Sequence, residues 1–156
     1  MSATAGTTGA GEDWRDNLIE DWQGVADLLR ASRRVAVLGM RTEEHSMRPA
    51  FYVPGALRSM GLEVIPVPVH HPEAETILGQ KTYPKVADVP GQIDIVDVFR
   101  RAEDIDAHLE DILAARPKAV WFQSGIRNDR AAERLARAGI KVVQDRCLMV
   151  DYRRVR

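Results

Sequence analysis

At 156 residues, 45% hydrophobic and 29% charged, the chain has the length and composition of one globular domain whose core needs neither disulfide nor metal. Its 22 Lys and Arg nearly cancel 23 Asp and Glu, which excludes a generic nucleic-acid or membrane-surface binder. The single cysteine, Cys147, excludes an intramolecular disulfide and a Cys-based zinc site and fits a reducing cytoplasm, and no stretch reads as a signal peptide or a membrane span.

Met1 to Asp13 reads as a flexible tail ahead of one domain over residues 14–156. From Trp14 to Ala31, Leu18, Ile19, Trp22, Val25, Ala26, Leu28 and Leu29 recur mainly at three- and four-residue steps, which predicts one amphipathic helix lying on a sheet face. Val35 to Leu38, short, apolar and stopped by Gly39, reads as a central parallel strand. Pro49 and Pro54 interrupt the next pattern. Proline suits a first turn and not a helix interior, so regular helix is expected from Tyr52 to Pro54 as far as Met60, with Gly61 as its cap.

Leu62 to Val67 is the second strand, followed by a Pro- and Gly-rich loop with room for a short helical turn at Ala74–Leu78 or Val86–Val89. Ile93–Phe99 and Ala119–Gln123 are the third and fourth strands, with a helix over Ala102–Ala115 between them. Asp129–Ala138 is helical, with Asn128 or Asp129 capping its start, and Ile140–Gln144 is the fifth strand. This alternation predicts an α/β fold: a three-layer, doubly wound Rossmann-like domain with a five-stranded parallel sheet in the order 3-2-1-4-5. Right-handed crossovers place every strand C-terminus along one edge, where ligand chemistry gathers.

At that edge the segment RVAVLGMRTEEHSMR carries a strand, a glycine turn and then Arg41, His45 and Arg48, with Thr42 and Ser46 as hydroxyl donors. Such a loop suits phosphate oxygens, or stands as a solvated surface loop offset by Glu43 and Glu44. It lacks GxGxxG, and no acidic residue ends the second strand, so NAD is disfavoured. Phe99 is placed either beside an adenine or in the core, and Gln123-Ser124-Gly125 is either an anion-friendly helix start or a plain turn. His70-His71 with Glu73 and Glu75 does not make a metal site, because adjacent residues of an extended segment point to opposite sides. Asp94 and Asp97 flank a strand and read as structural. No catalytic constellation emerges.

The motifs VAVLGM, RPAFYVPGALRSMGLEVIPVPV, ILGQKTYP, DIVDVFR, VWFQSGI and VVQDRCLMVDYRR, in this order, resemble the small stand-alone CoA-binding family of the CoA_binding_2 or YccU-like type. That family is similar to the CoA-binding domain of the succinyl-CoA synthetase alpha subunit. The resemblance spans Arg33 to Arg154 and implies non-catalytic binding of coenzyme A or an acyl-CoA. It implies that Gly39, Met40, Arg41, His45, Ser46 and Arg48 receive the pyrophosphate, supported by the helix start at Tyr52. Pro68, Phe99 and Arg100 would border the adenosine, and Gln123, Ser124, Gly125 and Asn128 the pantetheine arm. Arg41 stands where the family often has a small residue or serine, and VPVHHP where many relatives read VNP.

Two other readings stay open: a CoA-linked or NAD(P)-dependent enzyme, and an interaction scaffold using the Trp14–Ala31 helix. Beyond CoA or an acyl-CoA, the expected partners are a second copy or an acyl-CoA enzyme, without nucleic acid or membrane. Cys147, just past the fifth strand, is either buried packing or a thiol near the CoA sulfur.

Overall fold

Alternation along the first strand builds both layers of the core. Val35 and Val37 project to one face of the sheet and Ala36 and Leu38 to the other, none more than 2% exposed, because successive strand residues point to opposite sides. The computed structural model describes residues 13–156. In chain order it comprises α1 (Trp22–Arg30), β1 (Arg34–Leu38), α2 (Pro49–Ser59), β2 (Glu63–Val67), a small hairpin of β3 (Thr76–Ile77) and β4 (Gln80–Lys81), and β5 (Ile95–Val98). There follow α3 (Leu109–Ala115), β6 (Ala119–Phe122), α4 (Asp129–Arg137), β7 (Lys141–Val143) and α5 (Leu148–Val155). Helices α1, α2 and α5 cover one face through Val25, Leu29, Val53, Leu57 and Leu148; α3 and α4 cover the other through Leu109, Ile112, Ala132 and Leu135. Each such side chain contributes roughly 1.5–3 kcal/mol by leaving water.

The expected class is present: five parallel strands between two helical layers, in the order β2-β1-β5-β6-β7. As in a 3-2-1-4-5 winding, the second strand flanks the first and the direction reverses there. Counted strictly along the chain, however, the order is 2-1-3-4-5, since β5 pairs directly with β1 from Val35 opposite Ile95 to Leu38 opposite Val98. A parallel strand outside β2 would need a helical crossover, and residues 68–92, punctuated by Pro68, Pro72, Pro84 and Pro90, form none. The outer side of β2 meets the hairpin segment instead, with the Tyr83 N–H donating to the Pro66 carbonyl at 3.0 Å. Of the two short turns expected in this loop, Val86–Asp88 is a 3-10 turn and Ala74–Leu78 contributes a hairpin strand.

The single helix expected over Trp14–Ala31 is two pieces. A 3-10 turn spans Trp14–Asn17, the chain then extends, and α1 begins at Trp22. The break arises because Leu18 bridges to Val142 in parallel and the Ile19 N–H donates to the Val142 carbonyl at 2.8 Å, so the unpaired edge of β7 takes this backbone out of the helix. The expected tail falls outside the described residues except for Asp13, whose carboxylate accepts the Arg15 N–H at 2.9 Å and caps the first turn. The helix expected over Ala102–Ala115 is 3-10 as far as His108 and α-helical from Leu109. Helix α5 follows β7 where no helix was expected. No helix among the described residues is long and apolar enough to cross a membrane.

Two aspartates three residues apart, Asp94 just before β5 and Asp97 within it, meet opposite fates. Asp94 accepts the Arg33 and Arg34 N–H groups at 2.8 and 2.9 Å and lies 3.6 Å from Lys118, tying the beginnings of β1, β5 and β6 together. Its partial burial works against ionisation, yet these donors hold the carboxyl below its ordinary value. Asp97, opposite Val37 and Trp121, is 0% exposed and neither carboxyl oxygen has a partner. Burial pushes that carboxyl well above the usual range.

Candidate functional site

The chain leaves β1 through Gly39 at φ +90°, a left-handed conformation, with its N–H donated to the Val67 carbonyl at 2.8 Å. A Cβ at this position would lie 2.5 Å from the Phe99 carbonyl oxygen, so the turns after β1 and β5 touch only because residue 39 has no side chain. The loop then makes a 3-10 turn over Glu43–His45 and enters α2, which begins at Pro49, three residues before the expected start. Pro49 occupies the first helical position, where a missing N–H costs nothing.

Pro54 lies inside α2, against expectation, and what makes it tolerable is the loop. Lacking an N–H, Pro54 leaves the Ala50 carbonyl without a helical donor, and the Arg41 N–H fills that role at 3.1 Å. The proline thereby frees an acceptor that anchors Arg41. Pro54→Ala supplies a competing N–H, and the Arg41 amide is expected to exchange hydrogen about fivefold faster, equivalent to one bond of ~1 kcal/mol. Unchanged exchange at Arg41 would show that the loop is anchored elsewhere.

Between this loop, the ends of β5 and β6 and the start of α5 lies a cleft of ≈ 790 Å³, within the size range of ligand sites. Its lining carries Arg41, Arg48, Arg100 and Arg101 with His70, against Asp104 as the one acidic residue there among the described residues. Arg41 and Arg48 have no ion pair among the described residues, whereas Arg101 is held by Asp104 at 3.0 Å. The first turn of α2 opens here: Pro49 and Ala50 line the cleft, and with Pro49 lacking an N–H and Phe51 donating to the Arg48 carbonyl at 2.9 Å, the Ala50 N–H is the first-turn donor left free among the described residues. The same lining includes apolar Val53, Phe99, Ile126 and Met149, together with Gln123 and Cys147.

Arg100 is fixed rather than free. Its Nη1 lies 2.9 Å from His70 Nε2, its Nε donates to His108 Nε2 at 3.2 Å, and Asp104 is 3.7 Å from Nη2. Burial lowers the pKa of both histidines, His70 further through Arg41 and Arg100 and His108 through Arg100. Neutral rings can accept from the guanidinium, so Arg100 is held between two imidazoles and the Asp104 carboxylate. His71 packs against His45, with ring centroids 5.1 Å apart and the ring planes tilted by 39°.

Of the residues expected at the site, Arg41, Arg48, Tyr52, Phe99, Arg100, Gln123 and Ser124 line the cleft. The others are elsewhere for identifiable reasons. Met40 is 1% exposed and packs beneath α1 and α2. Gly39 serves through its conformation. His45 is against His71, and Ser46 ends the 3-10 turn. Pro68 borders a separate hollow of ≈ 700 Å³ with Leu38, Tyr83 and His108. The Gly125 N–H is taken by Asp145 at 2.6 Å, so it is no free anion donor. Asn128 caps α4, accepting from the Ala131 N–H at 3.0 Å and donating to the Ala102 carbonyl at 2.9 Å. Residues not expected at the site include Val53, Arg101, Asp104, Ile126 and Met149. The Arg101–Asp104 spacing is a readable i,i+3 signal; Met149 reaches the cleft only because α5 exists.

A family model described as a CoA binding domain matches residues 33–153. The chain belongs to the CoA-binding domain family. It is 32% identical over 128 residues to the uncharacterised protein YneT of Bacillus subtilis, an alignment covering 82% of this chain and 91% of that one. Among solved structures, the cell-free ID.343 protein of Thermus thermophilus is similar with a TM-score of 0.81 and 39% identity, over 88% of this chain and 100% of that one. The dinucleotide-forming acetyl-coenzyme A synthetase 1 of Ca. Korarchaeum cryptofilum shares the fold, with a TM-score of 0.60 and 23% identity over 75% of this chain. The match occupies 27% of that synthetase. The same fold thus occurs in a chain of about this length and within a longer one.

Proposed function

We propose that this member of the CoA-binding family binds coenzyme A or an acyl-CoA in the large cleft without turning it over. The observation that carries the reading is the pairing, in the lining of one cleft, of cationic side chains at a helix start with apolar side chains and an open amide donor. CoA has the same two halves, a highly anionic nucleotide and a long, neutral pantetheine arm. Arg41 and Arg48, unpaired among the described residues, would meet phosphates together with the Ala50 N–H, and Arg100 would meet one as well. Gln123, Phe99 and Met149 would accompany the arm.

Titration calorimetry with CoA, dephospho-CoA, NAD and ATP tests this, with CoA expected to bind tightest. An absence of heat with CoA would sink it. Arg48→Ala or Arg41→Ala is expected to weaken CoA about tenfold, the size of one charge-assisted hydrogen bond, while affinity for neutral pantetheine changes less than about twofold. Equal losses for both ligands would remove the phosphate assignment.

A further inference from the structure

Cys147 is the N-cap residue of α5, makes no capping bond and lines the large cleft between Gln123 and Met149. A thiol alone in such a place says little; its neighbour says more. Gln123 is only 5% exposed, and its Oε1 accepts the N–H of Leu148, the residue after Cys147, at 3.0 Å. Because a donor must face that oxygen, the amide NH2 is turned the other way. It finds no acceptor among the described residues, although the side chain lines the cleft. That nitrogen is not sealed in the core but open to the cleft, so a ligand carbonyl there would take the place of water as its acceptor. The complement of this corner is a carbonyl oxygen a few bonds from a sulfur, the arrangement at the mercaptoethylamide end of a pantetheine-type thiol.

We propose that Cys147 is a thiol–disulfide exchange site that captures pantetheine-type thiols covalently, with the Gln123 NH2 holding the terminal amide carbonyl. The proposal rests on the CoA reading above and adds a chemical step to it. The co-reactant is the symmetrical disulfide of such a thiol. The Cys147 sulfur, as thiolate, attacks one disulfide sulfur; a new S–S bond joins the protein to one CoA half as the old S–S bond breaks. The other half leaves as a thiolate and takes up the proton that Cys147 gave to solvent. Cys147 is oxidised to the disulfide level and one CoA is reduced to the free thiol, so atoms and electrons balance. A reduced thiol reverses the step, which makes occupancy of the cleft respond to the redox poise of its ligand.

Intact-mass spectrometry after incubation with CoA disulfide is the test, run beside glutathione disulfide at equal concentration and beside Cys147→Ser. The expected result is one CoA adduct on the native protein, formed at least about tenfold faster than the glutathione adduct, removed by dithiothreitol and absent from Cys147→Ser. Gln123→Glu keeps an acceptor for the Leu148 N–H but loses the outward donor, and is expected to cancel most of the preference for the CoA disulfide. Reduced CoA is titrated in parallel into Cys147→Ser. If that variant binds reduced CoA while the native protein forms no adduct, or forms it no faster than with glutathione disulfide, the exchange site is overturned and the binding site stands. If neither protein binds reduced CoA, the binding reading itself is overturned.

Discussion

Gly39→Ala is expected to destabilise the fold by about 3 kcal/mol or more, the largest effect of any single methyl group added to this chain. Two costs add. The left-handed φ of +90° strains any residue with a Cβ by roughly 1–2 kcal/mol. The new carbon would also stand 2.5 Å from the Phe99 carbonyl oxygen, a backbone atom that cannot rotate aside, and relieving it means moving the end of β5 from β1 at a cost of about 1–3 kcal/mol. Gly125→Ala is the internal control, since its φ is +82° yet nothing lies within 4 Å of the added Cβ. Urea denaturation of both variants separates the two costs: Gly125→Ala shows the conformational part alone. Equal losses would mean that the contact between the two turns is soft and contributes nothing to shaping the cleft.

Asp97→Asn is expected to stabilise the protein at alkaline pH and to matter little near pH 4. Burial raises the folded-state pKa of Asp97 well above the ordinary carboxylate value, while the unfolded chain titrates normally. Between those two pKa values the unfolded state binds fewer protons than the folded one, so stability falls as pH rises, by about 1.4 kcal/mol per pH unit for this group. Below the unfolded pKa both states are protonated and the cost vanishes. The asparagine does not titrate and escapes the slope. Thermal melts of both proteins from acid to alkaline pH check this through the difference between the two curves, which cancels opposing contributions such as that of Asp94, whose depressed pKa stabilises as pH rises. A difference that stays constant with pH would mean that Asp97 ionises in the fold at its ordinary value.

The strand pattern was legible because it is local. Short apolar runs ended by Gly39 or followed by the turns after Phe99 and Gln123 carry their own burial signal, and all five main-sheet strands fall within a few residues of where that signal puts them. Helix limits were less legible wherever a distant group intervened. Nothing between Trp14 and Ala31 announces that the β7 edge will pull Leu18 and Ile19 out of a helix. Pro54 in isolation argues against the helix that contains it, and only the Arg41 N–H, brought over by the loop, gives the freed Ala50 carbonyl a partner. The same division runs through the site. Arg41, Arg48 and Arg100 are readable as cations past strand ends, whereas Asn128 and Gly125, equally suitable on paper, spend their polar groups on Ala102, Ala131 and Asp145.

The sequence by itself therefore determined the class of the protein, the edge at which the proposed ligand site lies and the glycine on which that edge turns, since periodicity and turn chemistry act between residues adjacent in the chain. Tertiary structure decided which polar groups remain free to meet a ligand. A donor or acceptor is available only if nothing else in the fold has claimed it, and for the Gln123 oxygen, the His70 ring and the Asn128 NH2 the claimants come from segments 25 to 30 residues away.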